Sequence, residues 1–429
     1  MSKSAATWPL VPLADVGRWF GGGTPTKNRA EFWANGSVPW LSPKDMGADV
    51  ITSTQDRITP AAIEASSARL VPANSVAIVV RSGILERKVP IGLVPFEVTL
   101  NQDMKAVVPR NGIDPRWVAW GLRAMERDVL RECRKAGTTV ASIETVRLMA
   151  RRLSIPPIAE QRRIIEILED HLSRLDAADA YLDASSRRLA SLLASLRSGA
   201  YRFEVNRTLL ADVAEVQGGI LKNASRSPHE NTAPFLRVAN VTKGGLVLNE
   251  VHRIEVFTGE RERYRLQAGD LLVVEGNGSP SQIGRAALWD GSIPDAVHQN
   301  HLIRVRPREC LLPGFLELIW NSPENRERLT RLSSSSSGLH TLSTGKLRSL
   351  DIPVPSLEAQ DRMLLEYEDG LDCSRRMASA TRDARARSTR LRRALLHAAF
   401  TGRLTGRDRD ADVLGELKDL SRVAQLSQG

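Results

Sequence analysis

The sequence predicts a mixed α/β (α+β) fold made twice over: two globular domains joined by two long antiparallel helices that form a coiled coil, with a pseudo-two-fold internal repeat. Three observations predict it. The chain repeats itself after about 200 residues, each copy opens with short β-like runs between Gly, Pro and Asn turns, and each closes on a proline-led amphipathic stretch. The expected boundaries follow: a first globular domain at 1–152, a long helix at 153–202, a second globular domain at 203–350, a second long helix at 351–405 and a tail at 406–429.

The repeat is read directly. "LADV" at 13–16 returns at 210–213, and "VPWLSPKDMG" (38–47) is matched by "APFLRVANVTKG" (233–244), with Pro39, Trp40 and Leu41 aligned on Pro234, Phe235 and Leu236. "NSVAIVVRSG" (74–83) is matched by "GDLLVVEGNG" (269–278), and "NQDMKAVVPR" (101–110) by "QNHLIRVRPR" (299–308). The closing stretches "SIPPIAEQRRIIEIL" and "PVPSLEAQDRMLLEY" align so that Gln161 falls on Gln360, and "LLASLRSGAY" (192–201) returns as "LLHAAFTGRL" (395–404). A period of this length is a duplicated domain, not a solenoid.

Within each globular copy, runs such as "VAIVV" and "LLVVE" read as strands, and "PRWVAWGLRAMERDVL" reads as a short helix. The long helices follow from their starts. Proline fixes φ and has no N–H to leave unpaired, so it suits a first helical turn, and Glu160 complements the positive end of the helix dipole. Leu168, Leu175, Leu182, Leu189 and Leu196 then fall seven apart, with Ile164, His171, Ala178, Ser185 and Leu192 between them, the pattern of a seam that needs a partner helix. In the second helix Leu364 and Leu371 are in step, the phase slips near Met377, and the stripe finishes on Leu391 and Leu395. Pairing the two helices antiparallel is the economical reading; the alternative is that each packs on its own domain.

Composition narrows the function class. The chain has 429 residues, 42% of them apolar, and a formal charge of +10, which favours a polyanionic partner without naming one. No apolar run approaches the ~18–20 residues that span a bilayer, and "MSKSAATWPLVPLADV" lacks the apolar core of a signal peptide, so a cytoplasmic protein is expected. Cys133, Cys310 and Cys373 are too scattered for a disulfide framework or a CxxC metal site.

Several stretches imitate catalytic motifs. "LLVVEGNGSP" (271–280) looks like a strand followed by G-x-G, but Ser281 stands at the third glycine position and Pro280 opposes a helix start, and no GK[ST] follows. Glu86 or Glu97 with Asp103 and Lys105 could suggest a nuclease; the second copy carries His301 and Ile303 in the matching places, so a satisfied polar pair is the expected role. The Pro-Pro at 156–157 is flanked by Ile155 and Ile158, without the polar and aromatic residues of a DNA amino-methyltransferase motif. His298 and His301 lie three apart with no third ligand near in sequence, so ordinary core or hydrogen-bonded histidines are expected. Trp8, Trp19, Trp40, Trp117 and Trp120 read as core. The expectation is a chain with no catalytic site and no metal.

The two proline-led helices, the "GGTPT" and "PWLSPKDM" stretches, and the helix ends "LRSGAYRF" and "AAFTGRLT" together resemble the DNA specificity subunit of type I restriction-modification systems over nearly the whole chain. The resemblance implies two target recognition domains, each reading one half of a bipartite double-stranded DNA site, and two helices acting as a spacer. It also implies two methyltransferase (modification) subunits and restriction subunits with translocase and nuclease activity as partners. The complex would use S-adenosylmethionine, ATP and magnesium, with no cofactor held by this chain and no membrane. A self-contained enzyme and a stand-alone repressor or anti-restriction protein of the same fold are the alternatives.

On this reading the DNA-facing loop candidates in the first domain are Thr24, Lys27, Asn28, Lys44, Arg81, Ser82, Arg87 and Lys88. In the second they are Lys222, Asn223, Arg226, Asn240, Lys243, Asn277, Ser279, Gln282 and Arg285, with the loops at 81–83 and 276–278 equivalent. Arg375, Arg376, Arg382, Arg385, Arg387, Arg390, Arg392 and Arg393 on the second long helix are a solvated face, a docking surface for partner subunits or an attraction for DNA.

Overall fold

A computed structural model of the chain describes residues 8–135, 137, 139–222, 231–242, 245–276, 282–333 and 341–404. The chain divides into two compact units, one built from Met1–Leu182 together with the stretch from Arg382 onward, the other from Asp183–Thr381. The expected tail at 406–429 lies outside the described residues.

In the first unit an antiparallel sheet runs in the order Gly17–Gly21, Met104–Pro109, Ser75–Val79, Ile91–Val94. A second sheet has the order Asp56–Ile58, Val38–Leu41, Val98–Leu100, Leu70–Val71, its middle pair parallel. The strand Ser75–Val79 is buried at every residue because both its faces are covered. Val76, Ile78 and Val107 face the helix Pro115–Ala124, whereas Ala77, Val79, Met104 and Ala106 face Leu41, Val98 and Leu100 of the second sheet. Burial on two sides is why this run reads as continuously apolar instead of alternating.

The second unit repeats the plan. One sheet has the order Ala214–Gly218, Leu302–Pro307, Leu271–Val274, Ala286–Leu288; another has His252–Glu255, Thr232–Leu236, Val297–His298, again with one parallel pair. Pro313–Trp320 is the matching helix. A short antiparallel pair also closes each domain, Leu10–Pro12 on Arg152–Ser154 in the first and Arg207–Leu209 on Asp351–Pro353 in the second.

Both long helices are continuous, Ile158–Tyr201 and Leu357–Phe400, and each has 44 residues. Their starts are fixed identically. Gln161, fully buried, accepts from the N–H of Asp114 at 2.9 Å and donates to the carbonyls of Gly112 and Pro156 at 3.0 and 2.7 Å. Gln360 accepts from the N–H of Leu312 at 2.8 Å and donates to Cys310 and Pro355 at 2.9 and 2.8 Å. One amide thus ties each helix start to the turn before its domain's own helix.

Within the first unit Ser154 Oγ donates to Phe400 O, Ser388 Oγ donates to Asp179, and Arg392 pairs with Asp176 and Asp179, so the two helices run antiparallel. Ile164, Ile165, Leu168, Leu172 and Leu175 share one core with Leu391, Leu395 and Ala399, and that core includes Trp117 and Leu122 of the domain helix. In the second unit Ala200 and Tyr201 share a core with Phe315, Leu316 and Tyr367, against which Leu193, Leu196, Leu364 and Leu371 pack. Each globular domain therefore holds the start of one long helix and the end of the other. Helix pairing and packing on a domain, posed as alternatives from sequence, coexist here.

Of the expected seam, Leu168, Leu175, Leu391 and Leu395 are buried, and Leu182, Leu189, Leu196, Leu364 and Leu371 are half-buried. Leu192, expected at an intermediate seam position, is 50% exposed, and Leu193 faces Gly370 instead. A straight helix turns every 3.6 residues, so a strict seven-residue stripe drifts off the contact by about 20° per heptad.

Candidate nucleic-acid interface

The loops at one end of the main sheet are set by backbone constraints before side chains enter. A Cβ on Gly22 would lie 1.7 Å from Asn101 O, and one on Gly219 2.2 Å from His298 O, so only glycine lets these segments cross the neighbouring turn. The frame around them is the same in both domains. The N–H of Val80 donates to Asp103 O at 2.8 Å and that of Glu275 to His301 O at 3.0 Å. Met104 N–H returns to Asn101 O, as Leu302 N–H does to Gln299 O. Ile143 N–H reaches Val80 O and Leu342 N–H reaches Glu275 O, both at 2.8 Å, while Arg81 bridges Ser142 and Gly276 bridges Thr341. Arg81 therefore corresponds to Gly276 and Asp103 to His301.

On this frame the first domain gathers a polar group. Thr24 Oγ1 donates to Gln102 Oε1 and accepts from Asn101 Nδ2. Asn101 Oδ1 accepts from the N–H of Asp103 at 2.7 Å, a side-chain-closed turn. Arg81 Nε lies 2.8 Å from Asp103 Oδ1, although that oxygen takes no aligned hydrogen bond, so the contact is an ion pair. Ser82 Oγ caps the short helix Gly83–Glu86 by accepting from Ile84 N, and exposed Arg87 and Lys88 follow it. Lys27 and Asn28 are exposed on the segment after Thr24. Lys44 stands on a different loop, 2.8 Å from Asp56, whose hydrogen bond raises the lysine pKa above its ordinary value. Thr24, Arg81 and Ser82 are thus brought to one place and Lys44 is not.

In the second domain the same strand end carries Glu275 and His301, with Nδ1 of the ring 3.2 Å from Oε2. Lys222 is exposed, whereas Asn223, Arg226, Lys243, Asn277 and Ser279 lie outside the described residues. Asn240, Gln282 and Arg285 are engaged within the domain itself. Asn240 is 3% exposed: its amide donates to Val247 and Glu250 carbonyls, both at 2.9 Å, and its oxygen accepts from Arg237 N. It builds the loop and offers nothing outward. Arg285 donates to the carbonyls of Val241 and Val238 at 2.8 and 2.9 Å and to Gln282 Oε1 at 3.0 Å, and burial lowers its pKa. Arg285 and Gln282 brace the segment around 238–241 from behind.

Asp103, Glu275 and His301 stand at this strand end although none was among the sequence candidates for DNA-facing loops. Their signal was present in the alignment of "NQDM" with "QNHL", but it becomes legible only when the strand partner carrying Arg81 or Gly276 is known. Asp103 pairs with Arg81 and not with Lys105, the residue grouped with it from sequence. His298 is wholly buried, and burial first, then the Arg304 charge, takes its pKa down to about 4. Among the described residues no three or more His, Cys, Asp or Glu side chains group to hold a metal, and no helix is long and apolar enough to cross a membrane.

Among the arginines of the second long helix, Arg375 pairs with Asp372 and Arg392 with Asp176 and Asp179. Trp40 and Trp117 are core; Trp8, Trp19 and Trp120 are half-buried.

The family model described as the type I restriction modification DNA specificity domain matches the chain twice, at residues 6–179 and 204–364. The type I restriction enzyme EcoR124I/EcoR124II specificity subunit of Escherichia coli is 48% identical over 157 residues, which is 37% of this chain and 39% of that protein. The EcoKI specificity subunit of Escherichia coli strain K12 is 26% identical over 292 residues, 63% of this chain and 61% of that one. The chain thus aligns with less than two thirds of the length of either relative. Among solved structures, a chain from "Structural basis underlying complex assembly and conformational transition of the type I R-M system" shares the fold with a TM-score of 0.71 and 17% identity, over 94% of this chain and all of that one. The HsdS subunit from Thermoanaerobacter tengcongensis does so with a TM-score of 0.59 and 18% identity, over 94% and 99%.

Proposed function

Because this chain belongs to the family of type I restriction-modification DNA specificity subunits, we propose that it serves as the non-catalytic reader of its complex. Each globular domain reads one half of a bipartite double-stranded DNA site, and the two long helices set the interval between the halves and dock two methyltransferase subunits. Restriction subunits with translocase and nuclease activity complete the assembly. S-adenosylmethionine, ATP and magnesium belong to those other subunits on this reading, and the complex works in the cytoplasm.

One observation supports it above the rest: the same hydrogen-bonded strand end occurs in both domains with unlike side chains, Arg81 and Asp103 against Glu275 and His301. A protein that reads two different half-sites needs a shared scaffold with altered readers. The basic charge supplies sequence-independent attraction to phosphates, and polar side chains on the loops supply selection, each good bidentate contact discriminating by roughly 1–3 kcal/mol. The ruler role rests on two continuous 44-residue helices held antiparallel.

Mapping methylated adenines in a host carrying the intact operon tests this reading. The expected motif is asymmetric, with two short defined blocks and a fixed unspecified gap; a continuous palindrome would contradict it. Inserting one heptad into both long helices should change the gap and leave both blocks readable. Copurification with two methyltransferase chains separates this function from that of a self-sufficient repressor.

A further inference from the structure

We propose that the charged couple at the shared strand end is the base-selecting element of each domain, Arg81 braced by Asp103 for a guanine and Glu275 braced by His301 for the exocyclic amine of cytosine or adenine. The inference rests on the reading of both domains as DNA readers and assigns chemistry to each.

The argument starts from what is constant. Around positions 80–81 and 275–276 three backbone hydrogen bonds and one strand bridge recur, and glycines at 22 and 219 are pinned against the adjoining turn in both domains. Strands leading into this end are buried, as in Ser75–Val79 and Leu271–Val274. The first side chains to emerge from that frame are therefore held by a rigid base, which is what discrimination between base edges requires.

What differs is hydrogen-bonding sense. Arg81 keeps 58% of its side chain exposed, and its Nε faces Asp103 at 2.8 Å, so the carboxylate orients the guanidinium from behind. Nη1 and Nη2 take no partner among the described residues and form a two-donor edge matched to guanine O6 and N7. In the second domain the arginine position is Gly276, and the group beside it is an acceptor. Glu275 Oε2 faces His301 Nδ1 at 3.2 Å, which leaves Oε1 without a partner among the described residues. A carboxylate there accepts from an amino group on a base and repels the acceptor-only edge of guanine. Donor in one domain and acceptor in the other is the difference that two unlike half-sites call for.

The test uses the assembled complex. R81A and E275Q are introduced separately, the methylation motif is mapped, and competition binding is measured with oligonucleotides altered at one base pair at a time. R81A should cut discrimination at one guanine by roughly ten- to hundred-fold and leave the other block intact. E275Q should do the same at one cytosine or adenine in the other block. R81K, which keeps the charge and loses the fork, should lose discrimination as R81A does while holding overall affinity closer to wild type. Unchanged motifs, both variants acting on the same block, or a drop in affinity that leaves the ranking of bases untouched would overturn the assignment. A wild-type complex with no two-block motif would instead overturn the bipartite reading itself.

Discussion

At two equivalent positions the first domain buries Leu100 and Ala106, and the second buries His298 and Arg304. The backbone does not register the change: Leu41 pairs with Leu100 as Leu236 pairs with His298, and Ala77 pairs with Ala106 as Leu272 pairs with Arg304. Arg304 is 2% exposed and is held by Glu215 and the carbonyls of Arg263 and Arg265. Burial lowers its pKa, and Arg306 adds to that effect against the opposing pull of Glu215 and Asp270. The His298 ring meets Tyr264 edge-on at 6.3 Å, and neither ring nitrogen finds a hydrogen-bond partner among the described residues. The difference teaches that this fold needs its strand ladders and a filled interior, and that an apolar filling and a partly paired polar one both serve.

The sharpest way to break the comparison is Arg304→Ala. Arg304 is buried but Glu215 is 55% exposed, so the substitution opens a cavity and takes the donor from two carbonyls while Glu215 returns to water, and a loss of about 3 kcal/mol is expected in denaturant unfolding. Arg304→Met should cost far less, since it fills the volume without a charge. Equal losses for both would mean that pairing, not packing, decides this site.

Next comes pH. His298 titrates near 4 in the folded chain, below the ordinary 6.5, so between those values the unfolded chain holds more protons and stability rises with pH. The contribution is complete above about 6.5 and falls by about 3 kcal/mol as pH drops toward 4. His298→Leu, which copies the first domain, should flatten that slope in acid unfolding curves. A slope unchanged by the substitution would place the acid sensitivity elsewhere.

The smallest effect sharpens the likeness instead. Gln161→Ala and Gln360→Ala each strip three buried hydrogen bonds from a helix start, and each should cost about 2 kcal/mol. Thermal unfolding of the two variants should agree within experimental error; a cost at one site alone would show that the two helix starts are not equivalent.

Much of this architecture was legible in the residues. The repeat placed Gln161 on Gln360, and both long helices begin one or two residues after the prolines that lead them. The strands were visible because burial on both faces made them continuous apolar runs. Less legible was anything that depends on which segments meet. Leu193 replaces Leu192 at the seam because helical drift accumulates over the roughly eight turns from Ile164. Polarity and turn position do not reveal that Asn240 is buried or that Arg285 binds the carbonyls of Val241 and Val238. Asp103 finds Arg81 across two strands that are neighbours only after folding.

The Asp179 carboxylate, answered by Ser388 and Arg392, sits among apolar contacts of the long helices. Ser388 and Arg392 lie one helical turn apart, so a slip of one turn would leave Asp179 with at most one of its two donors. Within the first unit this contact therefore favours one register of the two helices over its one-turn neighbours, so a change of register there would come in whole turns and not by gradual stretching.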